Sequence, residues 1–246
     1  MSYDWRYIVP TRKRPNAVPR IESMFPGALW VMDAADAAVY PLPKEQILVH
    51  PDDVVGLPRK RQWMLDHIQD ETLVMIDDDI DFLFIQCGLV GRRTYDPGVI
   101  AHVVDQAYTI AKELGTSFFG FSVMADVRKF RASDPFILKG WMDGVIGIIG
   151  RKYRFNTHLR SRGDIDFALK VLEGDRFLWC DNRFAFSHDR FGRPGGMTGT
   201  RTSDTDRKDI SFLKAEWTPY LKFSMRQKGM TPSFTITRKQ PILLDL

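Results

Sequence analysis

Leu73-Val74-Met75-Ile76 runs directly into Asp77-Asp78-Asp79. Three adjacent carboxylates repel one another, and at the mouth of a buried strand they also lose solvation unless a cation or hydrogen-bond donors sit among them. A hard cation held by oxygens and shared with a phosphate would satisfy such a cluster. A solvated acidic turn is the plainer alternative. Cationic residues recur where an anion could meet that turn. Thr11-Arg12-Lys13-Arg14-Pro15 is a basic loop, and Arg59, Lys60 and Arg61 crowd the first turn of a helix, where positive charge opposes the helix dipole unless an anion is near. Asp33 and Asp36 either accept hydrogen bonds from a ribose or base edge or cap a turn. Asp164 and Asp166 open a later helix, where carboxylates ordinarily satisfy free amides.

The elements that must position these groups alternate. Strands are expected over Arg6–Pro10, Ala28–Met32, Gln46–His50 and Leu73–Ile76, and again over Phe118–Val123, Val145–Ile149 and Phe177–Cys180. Phe82–Ile85 continues apolar at an edge of the core, and Cys87–Pro97 reads as loop. Helical spacing of apolar residues marks Leu57–Ile68, Val99–Leu114 and Gly163–Leu172. Strand, helix and strand in turn predict an α/β fold, a mostly parallel central sheet with helices on its faces. In such sheets ligands bind outside the carboxyl ends of the strands, where the aspartates and the basic loop both fall. Residues 192–209 are polar and rich in Gly, Arg, Ser and Thr, which reads as a lid or a disordered loop. Helical periodicity is expected from Ile210 to Lys228, with an extended tail beyond it. The expectation is one domain over 1–246: a nucleotide-binding half over 1–86, an acceptor half over 87–190, and a mobile loop with a C-terminal extension over 191–246.

Composition narrows the class. With 44% hydrophobic and 27% charged residues the chain suits a globular protein with a full core. Thirty-five Lys and Arg against 31 Asp and Glu is a mild excess that permits a polyanionic partner without requiring one. Two cysteines cannot build a disulfide framework, which favours a reducing, cytoplasmic setting. The first 14 residues have no apolar core of a signal peptide, and no apolar run is long enough to span a membrane.

A hydrophobic strand followed by Asp77-Asp78-Asp79 resembles the DxD element of GT-A-fold glycosyltransferases. The Pro10-Thr11-x-x-Arg14-Pro15 opening resembles theirs as well, and so does the basic helix ahead of the aspartates. The resemblance implies a GT-A-like fold and a nucleotide-sugar donor, most simply a UDP-sugar. It implies Mn²⁺ or Mg²⁺ on Asp77 and Asp79, with His188 as a third protein ligand. Pro10, Thr11, Arg12, Arg14, Asp33, Arg59, Arg61, Gln62, Asp77 and Asp78 would face the donor. The start of the later helix is similar to the E-D-x-D segment of inverting members, which makes Asp164 the general base with Asp166 in reserve. Gly163 departs from that pattern, standing where the family has Glu.

On the acceptor side, Trp141 could stack on a sugar or base, or simply fill the core. Arg151, Lys152, Arg154, Arg160 and Arg162 form either a solvated face or a surface for a polyanion, with Arg190, Arg193 and Arg201 following. Size, the opening and the basic helix resemble the phage-type TET-associated glycosyltransferases, which implies 5-hydroxymethylcytosine in phage DNA as acceptor, contacted by Trp141, Arg160 and Arg162. The rival readings are transfer to a cell-surface glycan or polysaccharide, a sugar-nucleotide nucleotidyltransferase, and a non-catalytic DNA-binding protein. Nucleotidyltransferases usually open with a glycine-rich loop, and Tyr7–Pro15 has no glycine. A DNA-binding protein would have no use for the aspartate cluster.

Overall fold

The computed structural model describes residues 3–88, 90–188, 196, 202–218, 220–226 and 229–234. A ten-stranded sheet runs through the first 188 residues. In chain order its elements are β1 (Trp5–Pro10), α1 (Val18–Met24), β2 (Leu29–Met32), α2 (Ala34–Ala37), β3 (Ile47–Val49), α3 (Leu57–His67), β4 (Thr72–Ile76), β5 (Ile80–Ile85), β6 (Arg92–Thr94), α4 (Pro97–Leu114), β7 (Phe118–Ser122), β8 (Phe136–Ile137), β9 (Val145–Ile149), α5 (Gly163–Gly174) and β10 (Trp179–His188). Then come α6 (Ser203–Trp217) and a separate hairpin of β11 (Leu221–Arg226) and β12 (Gly229–Phe234).

The sheet order is β3-β2-β1-β4-β9-β7-β10-β5-β6, with β8 on the side of β10. The first four strands are parallel, as the alternating sequence predicts. Beyond β4 the sheet becomes mixed. β9 inserts antiparallel between β4 and β7, β10 runs parallel to β7, and β5 and β6 are antiparallel. The three-residue aspartate turn is too short for a crossover, and β5 leaves β4 for the far part of the sheet, where it pairs with β10. β10 pairs with β7 through Asp181 and with β5 from Phe184 onward, bridging the two parts of the sheet across an irregularity in register.

Alternation places both faces of the central strands in core. Val74 and Ile76 of β4 pack with α1 and α4; Leu73 and Met75 pack with α3, α5 and α6. Phe119 of β7 lies across Gly147 of β9, where a Cβ would fall 1.9 Å from its ring, so no larger residue fits there. α4 starts two residues earlier than its apolar pattern because Asp96 caps it, and it ends at left-handed Gly115.

The C-terminal part departs from expectation. α6 begins at Ser203, inside the stretch read as loop, because Thr202 and Thr205 form a reciprocal capping box. It stops at Trp217, and a strand follows where helix was expected. Asp209 on this helix is buried and accepts the backbone N–H groups of Arg160, Ser161 and Arg162 and the Ser161 hydroxyl. Trp217 donates to Asp166 Oδ1 at 2.9 Å. α6 is therefore pinned to the loop that opens α5.

Candidate active site

β1 and β4 are neighbours, so the loop leaving Pro10 and the turn leaving Ile76 emerge side by side. Thr11 is buried. Its hydroxyl donates to Asp78 Oδ2 at 2.6 Å and meets the Tyr40 hydroxyl at 2.8 Å. The Arg14 guanidinium pairs with Asp78 and reaches Asp79 Oδ2 at 3.3 Å. Its backbone N–H donates to Tyr40 Oη at 2.7 Å. Lys13 between them takes a left-handed φ of 55°, uncommon for a residue with a side chain, and its N–H is held by Asp36 Oδ2 at 2.8 Å. Arg20 donates to the Asp78 carbonyl and pairs with Asp81. The basic loop is thus strapped onto the aspartate turn.

The three aspartates have separate surroundings. Asp78 is buried and fastened by Thr11 and Arg14, a placement that suits holding the loop rather than touching a donor directly. Asp77 donates its N–H to the Gly144 carbonyl at 2.7 Å and pairs through Oδ1 with Arg61 at 2.8 Å. Asp79 is pushed up to about 6 by burial and then by its like-charged neighbours Asp77 and Asp78, with Arg14 opposing.

α3 presents its cations on different sides. Lys60 and Arg61 are buried facing the site, on the same side as Met64, Leu65 and Ile68. Lys60 Nζ donates to the Thr11 carbonyl at 2.5 Å. Arg61 is 2% exposed, and among the described residues its Nε has no hydrogen-bond partner. Arg59 reaches only the Asp53 carbonyl. Gln62 is spent on the fold, donating to Asp66 and accepting from the Phe155 N–H, so the expected donor contact does not fit it. Asp33 caps α2 through the Asp36 N–H at 2.9 Å and lies close enough to Lys60 to stabilise its charge. Arg12 offers its carbonyl to the Gly196 N–H at 2.9 Å, and that glycine lies against the Arg14 guanidinium.

Lys60 carries a pH signature. Burial pulls its ammonium down from 10.5 to about 8. Between those values the unfolded chain holds a proton that the folded chain has released, so stability rises with pH across that window. Urea midpoints from pH 7.5 to 10.5 are expected to show this rise, and Lys60→Met is expected to remove it.

Asp164 completes the group. Its Cβ-less neighbour Gly163 packs against Pro58 at the start of α3, where a Cβ would sit 2.6 Å from the Pro58 ring. That explains the glycine where the resembling family has Glu: the two helix starts approach too closely for a side chain. The approach brings Asp164 within electrostatic range of Arg61 and Asp77. Burial is the main cause raising its pKa, Asp77 adds to it, and Arg61 and the start of its own helix oppose it. Asp166 is otherwise engaged: buried, it binds Trp217 and an ion pair with Lys170 at 2.8 Å, and so serves to hold α5 and α6 together.

The acceptor-side expectations fare differently. Arg162 is buried in a bidentate pair with Asp206 at 2.8 and 2.9 Å, which removes it from any acceptor surface. Arg151 binds the carbonyls of Leu65, Ile68, Asp70 and Glu71 at the end of α3. Lys152 and Arg154 pair with Asp175 and Asp66. Most of the expected cationic run therefore fastens the fold; Arg160 stays exposed, with its N–H on Asp209. Trp141 is half-buried, packs on the core and lines a cavity. The His188 side chain and Arg190, Arg193 and Arg201 lie outside the described residues.

Tyr40 and Arg20 belong to the site and were not anticipated. Asp36 and Lys60, singled out in the sequence as a ribose contact or turn cap and as part of a cationic helix start, both hold the opening loop, through the Lys13 N–H and the Thr11 carbonyl. Tyr40 gave no sequence signal.

The fold is of the GT-A type, a large central sheet flanked by helices. Among solved structures the chain is similar to S. aureus TarS 1–349 in complex with UDP-GlcNAc, with TM-score 0.52, 14% identity and 86% of this chain covered. It spans 66% of that TarS chain. S. aureus TarS 1–349 alone gives TM-score 0.47 at 11% identity, over 96% of this chain and 98% of that one. At these identities the likeness is one of fold. The sequence matches no family model and no curated protein. Among the described residues no helix is long and apolar enough to cross a membrane.

Proposed function

We propose that the protein is a glycosyltransferase moving a sugar from a nucleoside-diphosphate donor to an acceptor hydroxyl. The observation that carries this reading is the convergence of Asp77, Asp79, Arg61 and Asp164 at the carboxyl ends of β1 and β4. Among the described residues no three His, Cys, Asp or Glu side chains form a ready-made cation cage. Two carboxylates of one turn, with phosphate oxygens and water completing the shell, are nevertheless the donor set that Mg²⁺ or Mn²⁺ takes beside a diphosphate. Asp79 and the Asp77 oxygen not facing Arg61 would hold the ion. When bound it neutralises charge on the departing diphosphate.

The remaining steps belong to the chain. Arg61, through Nε, and Lys60 place positive charge beside the diphosphate. Arg14 holds Asp78 and so keeps the loop on the turn. Asp164 takes the proton from the acceptor hydroxyl as its oxygen bonds to the anomeric carbon, while the bond from that carbon to the phosphate oxygen breaks and the nucleoside diphosphate leaves with its electrons. A carboxylate with a raised pKa is a stronger base for this task.

The acceptor proposed is the hydroxymethyl group of 5-hydroxymethylcytosine in DNA. This reading rests on the resemblance of the opening loop and the basic helix to the TET-associated glycosyltransferases, and the mild positive balance permits it. Nucleoside mass spectrometry after incubation of hydroxymethylated DNA with a panel of nucleotide sugars tests it. A hexose-sized mass gain on hydroxymethylcytosine is expected; transfer to glycans with none to DNA would move the assignment to a polysaccharide enzyme.

A further inference from the structure

A cavity of about 360 Å³ lies between the end of β5, the end of β7 and the segment entering β9. Its walls include Phe130, Trp141, Met124 and Met142, with Asn182 as a polar edge. The volume is at the small end for ligand sites, suited to a compact ligand. Aromatic and thioether walls favour a ligand with a π-face. Residues 122–142 supply four cations against two carboxylates, interleaved with aromatics as Arg128-Lys129-Phe130-Arg131 and Lys139-Gly140-Trp141. Arg128, Arg131 and Lys139 are exposed at this segment, and Arg128 pairs with Asp126. Arg151 and Arg162 are tied into the fold, whereas Arg131 and Lys139 stay exposed at this segment, as Arg160 does elsewhere in the acceptor half. A neutral saccharide gains little from such a rim. A phosphate backbone carrying stackable bases uses both features. The wall also leads to the chemistry: from Met142 the chain passes through Asp143 to Gly144, whose carbonyl holds the Asp77 N–H.

We propose that this cavity receives a nucleobase of the acceptor strand, stacked on Phe130 and Trp141, with Arg131 and Lys139 on the flanking phosphates. The inference rests on the sugar-transfer reading with a nucleic-acid acceptor.

The test uses the full chain and a fluorescein-labelled duplex carrying 5-hydroxymethylcytosine, with polarisation read across a salt series. UDP binding with Mn²⁺, followed by calorimetry, runs in parallel. Phe130→Ala is expected to weaken duplex binding about tenfold. Phe130→Trp is expected to retain it. Arg131→Ala with Lys139→Ala is expected to flatten the slope of log affinity against log salt by up to about two units. UDP affinity is expected to hold in all of them. If Phe130→Ala melts early, Ser122→Trp, which fills the cavity from β7, is expected to give the same loss. Duplex affinity and salt slope equal to the parent's across these variants would overturn the inference while leaving the donor site standing. A parent that binds UDP but no duplex overturns it too. A parent that binds the duplex through this cavity but no UDP would fail the sugar-transfer reading alone.

Discussion

Asp164→Asn is expected to fold, bind UDP-sugar with unchanged affinity, and transfer sugar about 10²- to 10⁴-fold more slowly. The size follows from what the change removes. Asparagine keeps the shape and can still accept the backbone N–H groups at the start of α5, so position is preserved. It cannot take a proton. The effect should therefore fall on kcat, with KM for the donor little changed. The parent should lose activity as acid protonates Asp164, at a higher pH than an exposed aspartate would require, because burial raises its pKa. Asp166→Asn is a useful contrast. It weakens the contacts with Lys170 and Trp217, so it should lower stability more than it alters the pH profile. A full transfer rate from Asp164→Asn, with activity lost in Asp166→Asn at unchanged melting, would reassign the base.

Nucleoside-diphosphate affinity is expected to fall tenfold or more in Asp79→Asn, and to fall similarly in the parent when EDTA is added. The cause is electrostatic. Two phosphates brought beside Asp77, Asp78 and Asp79 meet three carboxylates, of which Arg14 and Arg61 offset only part. A divalent ion reverses that sign, and at Asp79 it competes only with the longer contact of Arg14, at 3.3 Å, among the described residues. Asp78→Asn should behave otherwise, loosening Arg14 and Thr11 and so disturbing the loop. Calorimetry on UDP with and without Mn²⁺ separates the two. Equal affinity in EDTA would rule out the cation assignment.

Much of the frame was legible because periodicity reports burial. β4 is buried at every position and apolar from Leu73 to Ile76 since both its faces are covered, and α4 shows a one-sided stripe. Strand direction beyond β4 was not legible, because β9 and β10 return from far along the chain to pair with β4, β7 and β5, and no local pattern records that pairing. The aspartate turn and the basic loop could be found since charge at the end of an apolar run is costly to ignore. Which cation faces the site could not. Arg59, Lys60 and Arg61 look alike in sequence, and only the angle around α3 separates the exposed contact of Arg59 from the buried ones. The run from Arg151 to Arg162 misled for the same reason: its partners Asp66, Asp175 and Asp206 are distant in sequence, so pairing was invisible. Residues 122–142 drew little notice because they carry no secondary-structure period, although their alternation of cations and aromatics was a signal.

Asp209 holds the three residues that lead into α5, yet it lies more than forty positions downstream of Asp164. During synthesis the donor-binding strands emerge first, and domains begin to organise from the N-terminal side. A nascent chain that has not yet reached Asp209 lacks the carboxylate that gathers the amides ahead of Asp164. On the proposed reading the proton acceptor would be set in place after the strands proposed to bind the donor, so competence for transfer would arrive late in the making of the molecule.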